Sequence, residues 1–242
     1  MKTHKILSII GLATLGLSFT PSFASAATIT RLSNFTDQQF RDLLNSGDFT
    51  ELFVAEGRMG NNQLNGDWEL GIWDARTNPF TIVDQDNFVW ASGKTEDFTL
   101  EYTGSTVNYT VGGVLLSSNA FGSSVNDIYI RTRETETSNI RIDSLFFEGE
   151  DLGTGAISEP GDLDSDRVDY LRISDISKPF TLTGKVTMSW TGTQPRGSNL
   201  AYQIKVGPTN NRDVPEPGTV GALLLTGIAA MGCRKTKRTV DD

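Results

Sequence analysis

Three aspartates at alternate positions, Asp162, Asp164 and Asp166, form the spacing in this chain that comes nearest to a metal site. In a calcium loop, alternate carboxylates turn inward onto one hard cation. The residues that follow depart from that pattern. Arg167 stands where a glycine would make the turn, and Ile173 where a bidentate glutamate would close the shell. The expectation is a solvated acidic loop, with calcium as a weak candidate and no obligatory cofactor. The tryptophans offer different chemistry, because an exposed indole face packs on the C–H patch of a sugar ring. Trp68 and Trp190 run in phase with apolar neighbours and are expected in the core. Trp73 has the opposite parity from Trp68, Leu70 and Ile72, so it is the candidate ligand residue.

Nucleophilic catalysis of the Ser-His-Asp or Cys-His kind has little to work with. The only histidine is His4 and the only cysteine Cys233, both in terminal segments. The long region between them therefore lacks such triads and the usual zinc ligands. With 30 Asp and Glu residues a glycosidase carboxylate pair is available in number. No Glu-x-Asp-x-x-Glu run places such a pair on one strand, and the domain is not expected to be an enzyme.

The elements that must position these residues are mostly strands. Thr36 with Gln39 matches a capping box, and Phe40, Leu43 and Leu44 form an apolar stripe ending at Asn45-Ser46-Gly47. One short N-terminal helix is expected there. Beyond it the hydrophobic period becomes two, with Gly, Asn, Asp and Ser between the runs. Phe180, Leu182, Val186, Met188 and Trp190 mark one face of a long strand, and Leu200, Tyr202, Ile204 and Val206 repeat the pattern after a Pro- and Gly-containing loop. These two are expected to pair as a hairpin. A second hairpin is expected between Phe98–Tyr102 and Val107–Val111. Further strands are expected at 51–55, 67–73, 88–91, 113–116, 127–133, 140–147 and 168–173. The apolar phase flips within 140–147 and again within 168–173, and a β-bulge is the expected cause of each. Residues 149–166 read as a long acidic surface loop. About a dozen short strands separated by turns predict an antiparallel β-sandwich or jelly-roll-like domain over residues 27–210.

Both ends of the chain have another character. Lys2 and Lys5 precede an apolar run from Ile6 to Phe19, and Ala24-Ser25-Ala26 supplies small residues for cleavage. Residues 1–26 thus read as a secretory signal peptide cut by signal peptidase, with Ala27 first in the exported chain. At the other end stand Val214-Pro215-Glu216-Pro217, an apolar segment 218–233, and a basic end 234–238 carrying Arg234, Lys235, Lys237 and Arg238. The 16-residue apolar segment spans about 24 Å as a helix, short of a bilayer core of about 30 Å. Snorkelling of Arg234 and Lys235 narrows the gap, and the basic end would stay on the cytoplasmic side. With the terminal segments set aside, the exported region carries a net charge of about −13. Such a surface repels phosphates, so nucleic acid is not an expected partner.

The tail over 214–238 resembles a PEP-CTERM sorting signal, in which Pro-Glu-Pro, a hydrophobic segment and a basic end follow one another at the C-terminus. Pro215, Glu216 and Pro217 match its motif residue by residue. The two prolines fix φ and remove backbone donors, which keeps the motif extended for a processing enzyme. The resemblance implies recognition by an exosortase, a membrane-embedded cysteine-type transpeptidase or protease. It further implies an exported surface or matrix protein linked to exopolysaccharide and biofilm. Asp127–Arg133, Phe180–Trp190 and Leu200–Gly207 are similar to the cyanobacterial choice-of-anchor type domains that precede such tails. That likeness implies a surface domain and supplies no catalytic residues. The expected role is structural or adhesive in the envelope or extracellular matrix, with extracellular polysaccharide as a candidate partner. The alternative is a carbohydrate-binding module or a carboxylate-dependent glycoside hydrolase.

Overall fold

The computed structural model describes residues 27–153, 157, 167–177 and 179–210. The signal-peptide residues Ala24 and Ala26, the calcium candidates Asp162, Asp164 and Asp166, and the whole 214–238 tail lie outside the described residues. Ala27 is described and packs against the core.

In chain order the elements are β1 (Thr28–Arg31), α1 (Asp37–Ser46), β2 (Phe53–Arg58), β3 (Leu70–Asp74), β4 (Thr81–Asp86), β5 (Thr95–Tyr102), β6 (Val107–Val111) and β7 (Val114–Ser118). They continue as β8 (Asp127–Arg133), β9 (Ser138–Phe147), β10 (Glu150–Asp151), β11 (Val168–Ser174), β12 (Phe180–Trp190) and β13 (Ala201–Gly207). Two antiparallel sheets result. One runs β1-β11-β8-β13-β2-β3-β4 and the other β10-β9-β12-β5-β6-β7. Their inner faces share one hydrophobic core, the arrangement of a β-sandwich. Strand β12 shows how the sequence sets this up: Phe180, Leu182, Val186 and Met188 are buried, while Thr181, Thr183, Lys185 and Thr187 face outward.

A polar cross-link runs through the core. Tyr109 of β6 and Tyr202 of β13 meet hydroxyl to hydroxyl at 2.5 Å, tying the two sheets together in a fully buried position. Burial raises both phenols, so each stays neutral and satisfies the other. Gly57 makes room, since a Cβ there would run into the Tyr202 ring.

The Phe98–Tyr102 and Val107–Val111 hairpin forms as expected, as β5 and β6. The other expected hairpin does not. Strand β12 pairs with β5 and β9, whereas β13 pairs with β2 and β8 in the opposite sheet. Alternation specifies which face a strand buries; it does not specify the neighbour. The 191–200 loop therefore crosses from one sheet to the other.

The two phase flips have different causes. In β9 there is a bulge: its register with β12 shifts near Thr183, and Ser144 takes φ 51° opposite that step. In β11 the register with β8 is continuous and no bulge occurs. Leu171 and Ile173 face the sandwich core, while Val168 and Tyr170 face outward into a second cluster under α1. Both faces of β11 are covered, so it alternates between two apolar environments.

The expected strand at 88–91 is a loop. The Phe88 N–H donates to Glu69 Oε2 and the Trp90 N–H to Asn62 Oδ1, so side chains take the donors that a ladder would use. The edge strand β4, not expected, lies just before it and pairs with β3.

Candidate functional site

The functional candidate is a cleft on the outer face of the seven-stranded sheet, beside α1. Antiparallel register builds it from residues far apart in sequence. Tyr170, Arg131, Gln203, Glu56 and Gly71 are successive cross-strand partners on β11, β8, β13, β2 and β3. Two residues along each strand, on the same face, lies a second row of Arg172, Tyr129, Lys205, Val54 and Trp73.

Helix α1 walls off one side. It begins with the expected capping box: the Gln39 N–H donates to Thr36 Oγ1 at 3.2 Å and the Thr36 N–H to Gln39 Oε1 at 2.8 Å. It ends where Gly47 adopts φ 73°. Phe40 is its anchor, with ring centroids 5.4 Å from Tyr129 and 5.5 Å from Tyr170. Asp37, in the first turn, locks the helix down. Arg131 donates from Nε at 2.6 Å and from Nη2 at 2.5 Å, and the Tyr170 hydroxyl donates at 2.7 Å. Burial works to raise the Asp37 carboxyl, but these hydrogen bonds and the Arg131 charge outweigh it and hold the group below its ordinary range.

Between α1 and strands β13, β2 and β3 the surface drops into a cavity of about 300 Å³, lined by Glu56, Trp73, Gln203 and Lys205 among others. Two ion pairs stand on its lining: Arg131 with Asp37, and Lys205 with Glu51 at 2.8 Å. Glu56 differs. It is 1% exposed, and its Oε1 accepts from Gln203 Nε2 at 3.0 Å. Its Oε2 has no hydrogen-bond partner among the described residues. Burial pushes the carboxyl up to about 7, against the Gln203 hydrogen bond and the charges of Arg58, Lys205 and Arg131. Glu69 gives the contrast. It is equally buried, and burial raises it too, but both its oxygens are used, by the N–H groups of Asn62 and Phe88. Glu69 pins loops, whereas Glu56 has an oxygen to spare.

Trp73 stands at the same rim. Its ring stacks on Phe80 with centroids 4.4 Å apart and meets Trp68 edge-on at 6.1 Å. Arg58 lies 3.9 Å above the Trp68 ring, and the exposed ring of the series is Phe80. Trp73 thus sits on the outer face, as its parity indicated, but Phe80 covers one side of its ring. Trp68 is not in the core as expected: Glu69 takes the buried place, and Trp68 packs outside over Gly71. Trp190 is half-buried against the core, and Trp90 is buried, its Nε1 donating to the Arg58 carbonyl at 2.9 Å. The sequence reading reached Trp73 and missed Glu56. The signal available was an acidic residue inside the otherwise apolar run Phe53–Gly57.

No family model and no curated protein matches the chain.

Proposed function

We propose that this chain is an exported, exosortase-sorted component of the cell surface or extracellular matrix, with a structural or adhesive role linked to exopolysaccharide, built on a jelly-roll-like β-sandwich. The observation that carries this reading is the order Pro215-Glu216-Pro217, apolar 218–233, basic 234–238 at one end of a chain whose other end reads as a signal peptide. A domain held by packing and buried hydrogen bonds, with its cysteine confined to the tail, suits a compartment where thiols oxidise. The test is the intact mass of the protein from wild-type and exosortase-null cells. Loss of C-terminal mass in the wild type that disappears in the null strain supports the reading. Identical masses in the two strains overturn it.

A second reading, that the sandwich is a carbohydrate-binding module, is favoured by a separate observation. Phe80, Trp73, Trp68 and Arg58 form a continuous aromatic and cationic step on the outer sheet face, next to a polar cavity. Aromatic side chains beside a few placed polar groups are the usual make-up of a small-molecule site. Binding of the protein to a glycan array tests this reading, and an array without a single specific signal removes it.

A further inference from the structure

Two buried polar atoms at the cleft have no hydrogen-bond partner among the described residues: Glu56 Oε2 and Trp73 Nε1. Both belong to side chains that line the cavity, on the adjacent strands β2 and β3: Gly71 is the cross-strand partner of Glu56, and Trp73 Nε1 lies 3.1 Å from where a Cβ on Gly71 would stand. Buried polar groups in native proteins are nearly always paired, so two orphans at one cavity call for a partner. The indole N–H only donates, whereas a carboxyl oxygen accepts when ionised and can donate when it holds a proton. A hydroxyl both donates and accepts, so it satisfies either atom in either state. The cavity, at about 300 Å³, stands at the small end of ligand sites and suits a single ring. Arg131 and Lys205, the lining cations that act on Glu56, already have carboxylate partners, so a neutral group is accommodated beside Glu56 without stranding either charge.

We infer that this cleft receives one neutral pyranose residue of a glycan, with adjacent hydroxyls on Glu56 Oε2 and Trp73 Nε1 and the neighbouring ring resting on Phe80. The inference rests on the carbohydrate-binding reading given above. Both polar atoms are buried within side chains that line the cavity, so binding requires the Trp73 indole to shift against Phe80. Isothermal titration calorimetry reads binding in the wild type and in a variant that lacks Trp73 alike.

The experiment titrates the full-length protein with methyl glucoside, methyl galactoside and methyl mannoside, and with the matching neutral oligosaccharides. At pH 8 saturable binding of at least one sugar is expected, weakened about tenfold by Glu56→Gln, which trades a charge-assisted hydrogen bond for a neutral one, and by Trp73→Phe, which removes a hydrogen bond. Neither change lowers the melting temperature enough to unfold the chain under assay. A deoxy sugar lacking the hydroxyl that meets the indole loses affinity for the wild type and loses none further for Trp73→Phe. Equal affinity in wild type, Glu56→Gln and Trp73→Phe, with loss only in Phe80→Ala, overturns the cleft and leaves the carbohydrate-binding reading standing. Absence of binding to every sugar overturns both. A bridging water that keeps its place between the two atoms in a crystal soaked with saturating sugar also overturns the cleft.

Discussion

Replacing Glu56 by glutamine should stabilise the protein, and the gain should appear only as the pH rises. In the unfolded chain this carboxyl titrates near its ordinary value of 4.5; in the folded protein burial holds it up to about 7. The fold therefore prefers the protonated form. The favourable contribution of that preference is complete below pH 4.5 and is lost as the pH climbs through about 7. Each tenfold difference in proton affinity is worth about 1.4 kcal/mol, so the interval from 4.5 to about 7 amounts to about 3 kcal/mol. Glutamine keeps the shape and never ionises. Glu56→Gln should then match the wild type at pH 4 and exceed it by about 3 kcal/mol at pH 8.

The neighbouring charges do not interfere in that window. Arg58, Arg131 and Lys205 face Glu56 in both proteins, while Asp37 titrates below its ordinary 3.8. Glu69 and Glu134 are raised as well, each chiefly by burial, and bend the pH profile of wild type and variant alike. The informative quantity is therefore the difference between the two proteins. Urea unfolding followed by tryptophan fluorescence at pH 4, 6 and 8 gives it. Parallel pH profiles, or a variant weaker than wild type at pH 8, would show that Glu56 is not held neutral by the fold.

Tyr202→Phe removes one half of the buried tyrosine pair and leaves the Tyr109 hydroxyl unpaired, a loss of about 1–3 kcal/mol in denaturant unfolding; adding Tyr109→Phe should restore part of it. Asp37→Asn leaves the Arg131 guanidinium buried without its counter-charge. With Asp37 one-third exposed, a loss of about 2 kcal/mol at neutral pH is expected. Because the folded Asp37 value is depressed, its contribution is present above about pH 4 and lost as the pH falls through that depressed value, so the variant should show a flatter acid limb. Gly71→Ala puts a Cβ 2.8 Å from Trp68 Cζ3, which should displace the paired indoles, shift the tryptophan emission and cost about 1–3 kcal/mol. Melting temperature with millimolar calcium and then with chelator should be unchanged, and a rise with calcium that Asp164→Asn abolishes would show that Asp162, Asp164 and Asp166 bind it.

Legibility in the sequence followed the range of the interaction. The α1 capping box lies within four residues and was readable in full, as was the β5–β6 hairpin with its short turn. The period of two identified the long strands β8, β9 and β12, because each has one face in the core. Partner choice was not readable, since β12 and β13 show the same alternation and sit in different sheets. Strand β11 misled for a related reason: an outward face covered by a helix has the same apolar pattern as a slipped strand. Position 88–91 misled because its donors are met by Glu69 and Asn62, an arrangement with no local signature. The cleft was the least legible of all. Its row from Tyr170 to Gly71 draws on five strands, and only the assembled sheet makes it a row.

Glu56 is also the place where stability and sequence choice part company. A buried carboxyl with an unused oxygen destabilises the fold near neutral pH, and glutamine at the same position would keep the Gln203 contact without that cost. The rest of the outer face is arranged the other way. Arg131 meets Asp37, Lys205 meets Glu51, and Arg172 meets Asp127 on β8, so charges taken out of water there have partners. Glu69 shows that this chain can also bury a carboxyl with both oxygens satisfied. Among these described carboxylates Glu56 is the exception, and it lies against a cavity that Trp73, with its unpaired indole N–H, also lines. Local violations of otherwise consistent packing concentrate where a site does something other than hold the fold. The orphaned oxygen is an open valence for a ligand, and the stability gained by Glu56→Gln at pH 8 should come with weaker sugar binding in the same protein.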